Sequence, residues 1–416
     1  MKKLKKCRFC KSSEIKVVID LGNQYLTGVF PKFLKESITN GPLKLLICNN
    51  CSLLQLSYTY NLSEMYGDNY GYRSGLNKSM VKHIGLKIRK LEKYINKGDL
   101  VLDIGSNDGT LLKQYKKKNI IKYGIDPTGK KFKKYYTKDI KLIPKFFSYK
   151  NFSLVCLQKP KMITSLAMFY DLESPLDFAK DIEKILDNHG YWHFEQSYMP
   201  LMIENNSFDT ICHEHLEYYS LKVILKILNE AKLKIHDVEI NDINGGSIAI
   251  TAVKKINNIK TKKSKTILNL LNYEKNKKFS NINIYKKFNK RIILFKKEII
   301  RFLKFLKSNN KVVFGYGAST KGNVILQYCK IDKTYLPYIV DINKDKLGKF
   351  TPGSNIPIIS ENKAKLLKPD YYLVFPWHFK KMIIKKEKKY IKSGGKLIFP
   401  LPRIQIIDKR NYNSII

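Results

Sequence analysis

The chain has 416 residues, enough for two or three domains, and its 44% hydrophobic and 12% aromatic content is typical of globular proteins. No stretch approaches the roughly 20 consecutive apolar residues of a membrane span. The basic start MKKLKKCRFC is not followed by the apolar segment of a signal peptide. We therefore expect a cytoplasmic protein with no membrane partner.

The net charge of +43 raises the question of nucleic-acid binding. Only seven of the 78 basic residues are arginine, the residue favoured for bidentate contacts to phosphates and bases. The chain is also rich in Ile and Asn, which share A/T-rich codons with Lys, so we attribute most of the charge to genome composition. We expect no nucleic-acid partner, although an anionic ligand such as a nucleotide diphosphate would suit this charge.

Two CxxC pairs stand near the N-terminus, Cys7 with Cys10 and Cys48 with Cys51. Each pair can wrap one side of a tetrahedral ion, and two pairs in one short segment favour a structural Zn²⁺ site over a redox dithiol. The other three cysteines are scattered, as expected in a reducing compartment. Residues 1–65 are thus predicted to form a zinc-binding domain.

Alternating strands and helices are predicted next. DLVLDIGSNDGTLL (99–112) is typical of a strand, a glycine-rich turn and the start of a helix, and KYGIDPTG ends a second strand at Asp126. Further strands are predicted at KMITSLAM, GYWHFEQS, LKIHDVEI and GSIAITAVKK. This order indicates an α/β fold with an open, mostly parallel sheet.

The turn in DIGSNDG has the chemistry of a cofactor site. Its spacing is D-x-G-x-x-x-G, unlike the G-x-G-x-x-G of dinucleotide-binding turns, and Asp103 would repel a pyrophosphate. An aspartate there suits the ammonium of a methionine moiety, and Asp126 suits ribose hydroxyls. The turn therefore predicts S-adenosylmethionine (SAM). The candidate cofactor residues are Asp103, Gly105, Asn107, Gly109, Asp126 and Ser165.

Residues 254–310 change to a Lys/Asn-rich composition that ends in a helical pattern, for which we favour a helix packed on a domain over a membrane-binding one. A second α/β unit begins at NNKVVFGYGASTKGNVIL and continues to GGKLIFPLP. Within it, Lys321 among glycines could cradle a diphosphate, or the segment could be an ordinary βα turn.

TICHEHLEYYS (210–220) sets Cys212, His213, Glu214 and His215 side by side. A metal site would need a further ligand from elsewhere, and the chain has no HExxH spacing. An acid–base site and a polar run without chemistry are the other interpretations.

Together these motifs resemble the sugar-nucleotide C-methyltransferases of deoxysugar pathways, such as the 3-C-methyltransferases of tetronitrose biosynthesis. The resemblance is nearly end to end and rests on the paired CxxC, YGYRSG, VLDIGSNDGTLL, GIDPTG, FDTICHEHLEYYSL, NGGSIAI, GYGASTKGN and PWHF. It implies a zinc-binding domain, a central class I (Rossmann-like) methyltransferase domain, a helical linker and a C-terminal α/β Rossmann-like domain for the sugar nucleotide. The corresponding boundaries are 1–65, 66–255, 256–308 and 309–416.

The resemblance also implies a reaction, the SAM-dependent C-methylation of an NDP-4-keto-deoxysugar. It implies His215 as the base that removes the C3 proton, and Glu214 as the residue that holds the sugar or orients the base. Tyrosines 66, 70 and 72 would donate hydrogen bonds to the substrate. His213 is either a supporting residue behind His215 and Glu214 or a purely structural one. The chain departs from the family at Cys212, where the family has tyrosine. These candidate catalytic residues are His215, Glu214, Tyr66, Tyr70, Tyr72 and His213.

The expected partner is a small nucleotide sugar, bound by a monomer. Alternatives are methylation of an oxygen or nitrogen atom of a nucleotide sugar and, more remotely, RNA methylation. The candidate substrate-binding residues are Cys212, Gly315, Tyr316, Gly317, Lys321, Asn323 and His378.

Overall fold

The computed structural model describes residues 1–66 and 72–415. In its N-terminal part, consecutive strands form an antiparallel meander. Most residues of its middle strand, Asn40–Cys48, are buried. The elements here are β1 (Lys2–Lys3), β2 (Ile15–Tyr25), β3 (Asn40–Cys48), β4 (Leu54–Leu56), β5 (Tyr58–Thr59) and the short helix α1 (Leu62–Met65).

The central part contains a seven-stranded sheet in the order β12-β13-β10-β9-β6-β7-β8. Strand β13 is antiparallel to both neighbours and the other pairs are parallel, which confirms the predicted open, mostly parallel sheet. All five residues of β6 are buried, as expected for a strand covered on both faces. The strands are β6 (Leu100–Ile104), β7 (Ile121–Ile125), β8 (Ile140–Ile143), β9 (Met162–Leu166), β10 (Tyr191–Ser197), β11 (Glu217–Tyr218), β12 (Leu233–Asn241) and β13 (Ser247–Lys254).

The prediction of a helix directly after the glycine-rich turn is wrong. The structure has a single 3₁₀ turn there, Leu112–Gln114, and Tyr115 returns to an extended conformation before the lysine run at 116–118. The α-helices of this part are α2 (Lys78–Leu91), α3 (Gly129–Phe132), α4 (Tyr149–Ser153), α5 (Pro175–Ile185), α6 (Met199–Glu204) and α7 (Leu221–Glu230).

The Lys/Asn-rich segment forms two helices, α8 (Ser264–Asn276) and α9 (Ile282–Ser308). As predicted, α9 is packed on the protein, with one buried stripe that includes Phe288, Ile292 and Phe295. This stripe joins one hydrophobic core with residues of both the N-terminal sheet and the C-terminal domain. In the described residues, no helix is long and apolar enough to cross a membrane.

The C-terminal part is a second, six-stranded sheet in the order β16-β15-β14-β17-β18-β19, in which β19 alone is antiparallel. The strand order reverses between β14 and β17, and a crevice at the carboxyl ends of such strands is the usual ligand site of an open α/β sheet. The elements are β14 (Val313–Tyr316), β15 (Ile339–Val340), β16 (Ile358–Ile359), β17 (Tyr371–Val374), β18 (Lys396–Phe399), β19 (Gln405–Ile407), α10 (Thr320–Cys329), α11 (Glu361–Leu367), α12 (Lys380–Lys386) and α13 (Lys388–Lys392).

One strand crosses between the parts. Strand β11, which follows the CHEH segment, does not join the central sheet but pairs with β4 of the N-terminal sheet, with Glu217 opposite Gln55. The buried Arg8 lies at this junction, where its backbone N–H donates to Gln55 Oε1 and its Nε lies 3.9 Å from Glu217 Oε1. The N-terminal sheet therefore extends past the boundary drawn at residue 65.

Helix α8 is fixed to the central domain through the buried carboxylate of Glu274. This carboxylate accepts hydrogen bonds from the Tyr198 hydroxyl (2.6 Å) and from the backbone N–H groups of Leu221 (2.6 Å) and Lys222 (3.0 Å) at the start of α7. We expect Glu274→Ala to leave these donors unsatisfied and to lower the thermal midpoint by about 4–8 °C, for a loss of about 2 kcal/mol. The exposed Glu298→Ala is the matched control, and equal midpoints for the two variants would contradict this role.

Candidate active site

The four cysteines of the CxxC pairs lie together. The Sγ atoms of Cys7 and Cys51 are 3.6 Å apart, those of Cys10 and Cys48 are 3.5 Å apart, and all four lie within 4.8 Å of one another. A tetrahedral Zn²⁺ with Zn–S bonds of about 2.3 Å requires S···S separations of about 3.8 Å, so the donor set fits this ion.

The two CxxC turns share one backbone geometry. Lys11 and Ser52, each the residue after the second cysteine of its pair, have positive φ (58° and 68°), and their N–H groups donate to the carbonyls of Cys7 and Cys48. The repeated turn lets each pair present both thiols to one point. Within residues 1–66 and 72–415, this is the one group of His, Cys, Asp or Glu side chains close enough to hold a metal ion.

The glycine-rich turn follows β6. Gly105 and Gly109 adopt φ of 75° and 70°, a region open mainly to glycine, and Asn107 adopts 49°. A Cβ on Gly105 would lie 3.1 Å from Met168 Cγ, so the turn is closely packed against the segment after β9. The positive φ angles of the two glycines shape the turn, and their contact with a cofactor stays a prediction.

Asp103 has the electrostatics of a site for a cation. It is buried and accepts a hydrogen bond from Thr164 Oγ1 (2.7 Å). Burial and the neighbouring charge of Asp126 raise the pKa of Asp103 to about 8. An ammonium group beside it would favour the carboxylate, which is the chemistry expected for the methionine end of SAM.

The Asp126 carboxylate holds the turn from the end of β7. Its Oδ2 accepts from the N–H of Asn107 (2.8 Å), and its Oδ1 accepts from the N–H and Oγ1 of Thr128 (both 2.6 Å). An ionised carboxylate can accept about four hydrogen bonds, so capacity for a ribose hydroxyl remains.

Ser165 is placed differently from the prediction. Its side chain is fully buried, and its hydroxyl accepts a hydrogen bond from the Trp192 indole (2.9 Å). Because side chains alternate along a strand, Thr164 is the residue of β9 that reaches Asp103 while Ser165 points to the core. Thr164 and Met168 are the residues near the turn that the sequence did not reveal.

His215 is held as a neutral imidazole. Its Nδ1 lies 2.8 Å from the carbonyl oxygen of Thr210, which can only accept, so Nδ1 carries the proton and Nε2 keeps a free lone pair. Its ring packs against Tyr170, with 4.1 Å between centroids. Burial, together with the charge of Lys321, lowers the pKa of His215 to about 3. Its side chain is half-buried, whereas the residues on both sides of it are buried.

His213 packs against the N-terminal domain. It is fully buried and meets Tyr60 of the N-terminal domain edge-on, with 4.6 Å between ring centroids. Burial lowers the pKa of His213 to about 3, so it is a neutral packed side chain. The structure therefore does not bring the two histidines together as metal ligands.

Glu214 faces a loop of the N-terminal domain. Its Oε2 accepts from Thr27 Oγ1 (3.4 Å), and a Cβ on Gly28 would overlap its Oε1, so a larger residue there would displace this carboxylate. Burial raises the pKa of Glu214. The adjacent thiol of Cys212 is fully buried, and burial together with the Glu214 and Asp171 carboxyls raises the pKa of Cys212 well above its usual range.

Of the tyrosines predicted to bind the substrate, one lies near His215 and one at the cofactor turn. The Tyr66 hydroxyl donates to Asp171 Oδ2 (3.0 Å), next to Tyr170, whose ring covers His215. Tyr72 has a half-exposed side chain, and its carbonyl accepts from Asn107 Nδ2 (3.4 Å) at the cofactor turn. Tyr70 lies outside the described residues.

The C-terminal domain reaches into the same region through the first turn of α10. Lys321 Nζ donates to the carbonyl of Asn244 (2.8 Å) in the central domain, and Asn323 Nδ2 donates to the carbonyl of Thr27 (2.7 Å) in the N-terminal domain. From the end of β17, the Trp377 indole donates to the buried Asp209 (2.8 Å). Three domains thus meet around the CHEH segment.

His378 lies in this region too. Burial and the charge of Lys321 lower the pKa of His378 well below its usual range. Thr27, Gly28, Asp171, Asp209 and Asn244 complete the region, and sequence reasoning named none of them. Asp209 lies in the motif FDTICHEHLEYYSL and Asn244 in NGGSIAI, so these two could have been found from the motifs. No sequence pattern points to the other three.

Packing explains the glycines of GYGASTKGN. A Cβ on Gly315 would overlap Ile339, and one on Gly317 or Gly322 would lie 2.8 Å from Pro376 or Phe375. The Tyr316 hydroxyl donates to Glu387 (2.9 Å) within the C-terminal domain and is not directed at His215. A phosphate-binding role for this turn stays a prediction.

The central sheet, with its single reversed strand, the glycine-rich turn and the acidic residues at two strand ends define the class of protein. It is a class I SAM-dependent methyltransferase that carries a Cys₄ zinc domain and a second α/β domain.

Comparison with known proteins identifies the kind of methyltransferase. Residues 7–66 match a family model for a zinc binding domain, residues 77–238 one for a methyltransferase domain, and residues 242–402 one for a C-methyltransferase C-terminal domain. The C-methyltransferase NovU of Streptomyces niveus is 26% identical over 410 residues, covering 96% of each chain. The chain is a SAM-dependent C-methyltransferase, so the alternatives of oxygen or nitrogen methylation are set aside.

Solved structures show more distant likeness. Magnesium protoporphyrin IX methyltransferase from Synechocystis PCC 6803 with bound SAM is 13% identical, over 42% of this chain and 78% of that chain, with a TM-score of 0.31. A SAM-dependent methyltransferase from Clostridium acetobutylicum ATCC 824 is 16% identical, over 43% of this chain and 92% of that chain, with a TM-score of 0.32.

Zinc content tests the Cys₄ site directly. We expect about one zinc per purified chain and its loss in Cys10→Ser, because three thiolates leave a structural tetrahedral site incomplete. The thermal midpoint should fall as well, since the N-terminal sheet depends on both CxxC turns. Cys156→Ser is the control and should keep its zinc by elemental analysis. Retention of stoichiometric zinc by Cys10→Ser would contradict this ligand set.

Proposed function

We propose that the protein methylates carbon 3 of a nucleotide-linked 4-keto-deoxysugar. The observation that carries the proposal is the neutral imidazole of His215, whose free Nε2 is positioned by the Thr210 carbonyl among groups from three domains. Full-length similarity to a C-methyltransferase supports the type of reaction.

The chemistry of carbon methylation requires such a base. A plain sugar carbon is not a nucleophile, but a ketone at C4 makes the C3 proton acidic. In the proposed reaction, His215 Nε2 takes that proton, the C3–H electron pair forms a C3=C4 double bond, and the carbonyl electrons move to O4 as an enolate. Bound SAM supplies a methyl group on a sulfonium, which C3 attacks as the C4 carbonyl re-forms and the S–CH₃ bond breaks.

The remaining residues bind and orient in this proposal. Glu214, which accepts from Thr27, and Tyr66, which donates to Asp171, would hold sugar hydroxyls. The turn of the C-terminal domain from Gly315 to Asn323, with His378 across the crevice, would receive the nucleotide diphosphate. Cys212 is buried and would limit the space beside the sugar. We further propose a cytoplasmic monomer with no nucleic-acid partner.

Loss of a C3 label tests the proposed reaction. With dTDP-4-keto-6-deoxyglucose deuterated at C3, the enzyme should release the deuterium to water and give a product heavier by one methyl group. His215→Asn should lower the turnover by about 10²–10⁴, the usual contribution of a general base. The exposed His189→Asn is the control. Methylation with the deuterium retained, or unchanged turnover in His215→Asn, would refute the proposal.

The burial of His215 predicts an unusual pH profile. The neutral imidazole is the active form, and it is lost only as the pH falls through its pKa of about 3. At saturating SAM, kcat/KM for the sugar should therefore show no acid limb near the usual histidine pKa of about 6.5 and should stay level down to about pH 5. An acid inflection between pH 6 and 7 would show that His215 is not desolvated as described.

A further inference from the structure

We propose that Lys321 stabilises the enolate oxygen O4 of the sugar and does not serve mainly as a diphosphate ligand. This inference rests on the proposed function, because it assigns a residue to the oxyanion that C3 deprotonation creates. It changes the role that the glycine-rich turn suggested for Lys321.

The geometry directs the ammonium group into the central domain. Lys321 is the second residue of α10, and its Nζ crosses the domain boundary to donate to the Asn244 carbonyl (2.8 Å). An ammonium has three N–H donors, so this bond leaves two. Among the described residues, no carboxylate oxygen lies within 4.0 Å of this nitrogen, so no ion pair uses them.

The contacts of Gly28 bring the start of α10 to the proposed chemistry. A Cβ on Gly28 would overlap Glu214 Oε1 and lie 3.5 Å from Thr320 Oγ1, so the residue before His215 and the residue before Lys321 meet at one glycine. The positive charge of Lys321 lowers the pKa of His215 and of His378. The charges of Asp209 and Cys212 in turn raise the pKa of Lys321, against the effect of its burial. Asp209 Oδ2 already accepts from Trp377. The charge that depresses the basicity of His215 therefore belongs to the same small region as the base.

Sugar geometry then separates O4 from the diphosphate. C4 is bonded directly to C3, the carbon whose proton His215 takes, whereas the diphosphate is attached at C1 on the other side of C2. In the inferred arrangement, a cation close to the base at C3 is therefore closer to O4 than to the diphosphate. Preorganised donors at the atom where negative charge develops are commonly the largest single contribution to such a reaction.

Lys346 provides a matched control within the same domain. It is also a lysine whose Nζ donates to a backbone carbonyl, that of Ala318 (2.7 Å), and burial lowers its pKa as it does for Lys321. Its charged neighbour is Asp341, however, and its ammonium lies over the Phe30 ring at 4.4 Å from the centroid. Lys346 therefore matches Lys321 in burial and bonding but not in its neighbours.

Proton exchange without methyl transfer isolates the enolate step. In D₂O, with S-adenosylhomocysteine in place of SAM, the wild-type enzyme should exchange the C3 proton of dTDP-4-keto-6-deoxyglucose, followed by NMR. Lys321→Met should slow this exchange by about 100-fold or more, the usual effect of removing one oxyanion donor. The dissociation constant for dTDP should change by less than about threefold in this variant, since it measures nucleotide diphosphate binding separately.

Three further variants decide between the outcomes. Lys321→Arg, which keeps the charge, should recover part of the exchange, Lys321→Gln should not, and Lys346→Met should exchange at a rate near that of the wild type. Wild-type exchange by Lys321→Met with weaker dTDP binding would overturn the inference and leave the proposed function intact. An absence of exchange in the wild-type enzyme would overturn the proposed function and this inference with it. A misfolded Lys321→Met would shift the test to the Gln and Arg pair.

Discussion

The pairing of β11 with β4 is the constraint on which the position of the candidate base depends. His215 lies two residues before β11, and β11 belongs to the N-terminal sheet and not to the central one. The same sheet ends in the cysteines of the zinc site, and Arg8, next to Cys7, bonds Gln55 opposite Glu217. The zinc site is therefore connected to the segment of the candidate base through backbone pairing and one buried arginine.

Burial sets the electrostatics of the site. His215 is kept neutral, and Asp103, Glu214 and Asp171 have raised pKa values, because desolvation disfavours their charged forms. The carboxylate form of Asp103 would be favoured by a cation beside it, whereas His215, Glu214 and Asp171 are stable in their neutral forms.

Local pattern predicted much of this fold. The CxxC spacing, the strand ends at Asp103 and Asp126 and the helical stripe of α9 each depend on residues close in sequence, and the structure has them as expected. What failed depends on packing between distant segments. Ser165 and Thr164 are equally plausible from their sequence, and only the orientation of β9 decides which of them meets Asp103. Similarly, nothing in the sequence around Gly28 indicates the carboxylate of Glu214 against it.

The role of the C-terminal domain follows from the same contacts. Its glycines are explained by packing against the ends of β15 and β17, so they are not by themselves evidence for a phosphate. Its polar side chains, by contrast, bond across domain boundaries, with Lys321 to Asn244, Trp377 to Asp209 and Asn323 to Thr27. One of these groups is an ammonium whose charge acts on His215. In the proposed reaction that cation would balance the charge that deprotonation creates, so the second α/β domain would contribute to the chemistry as well as to binding.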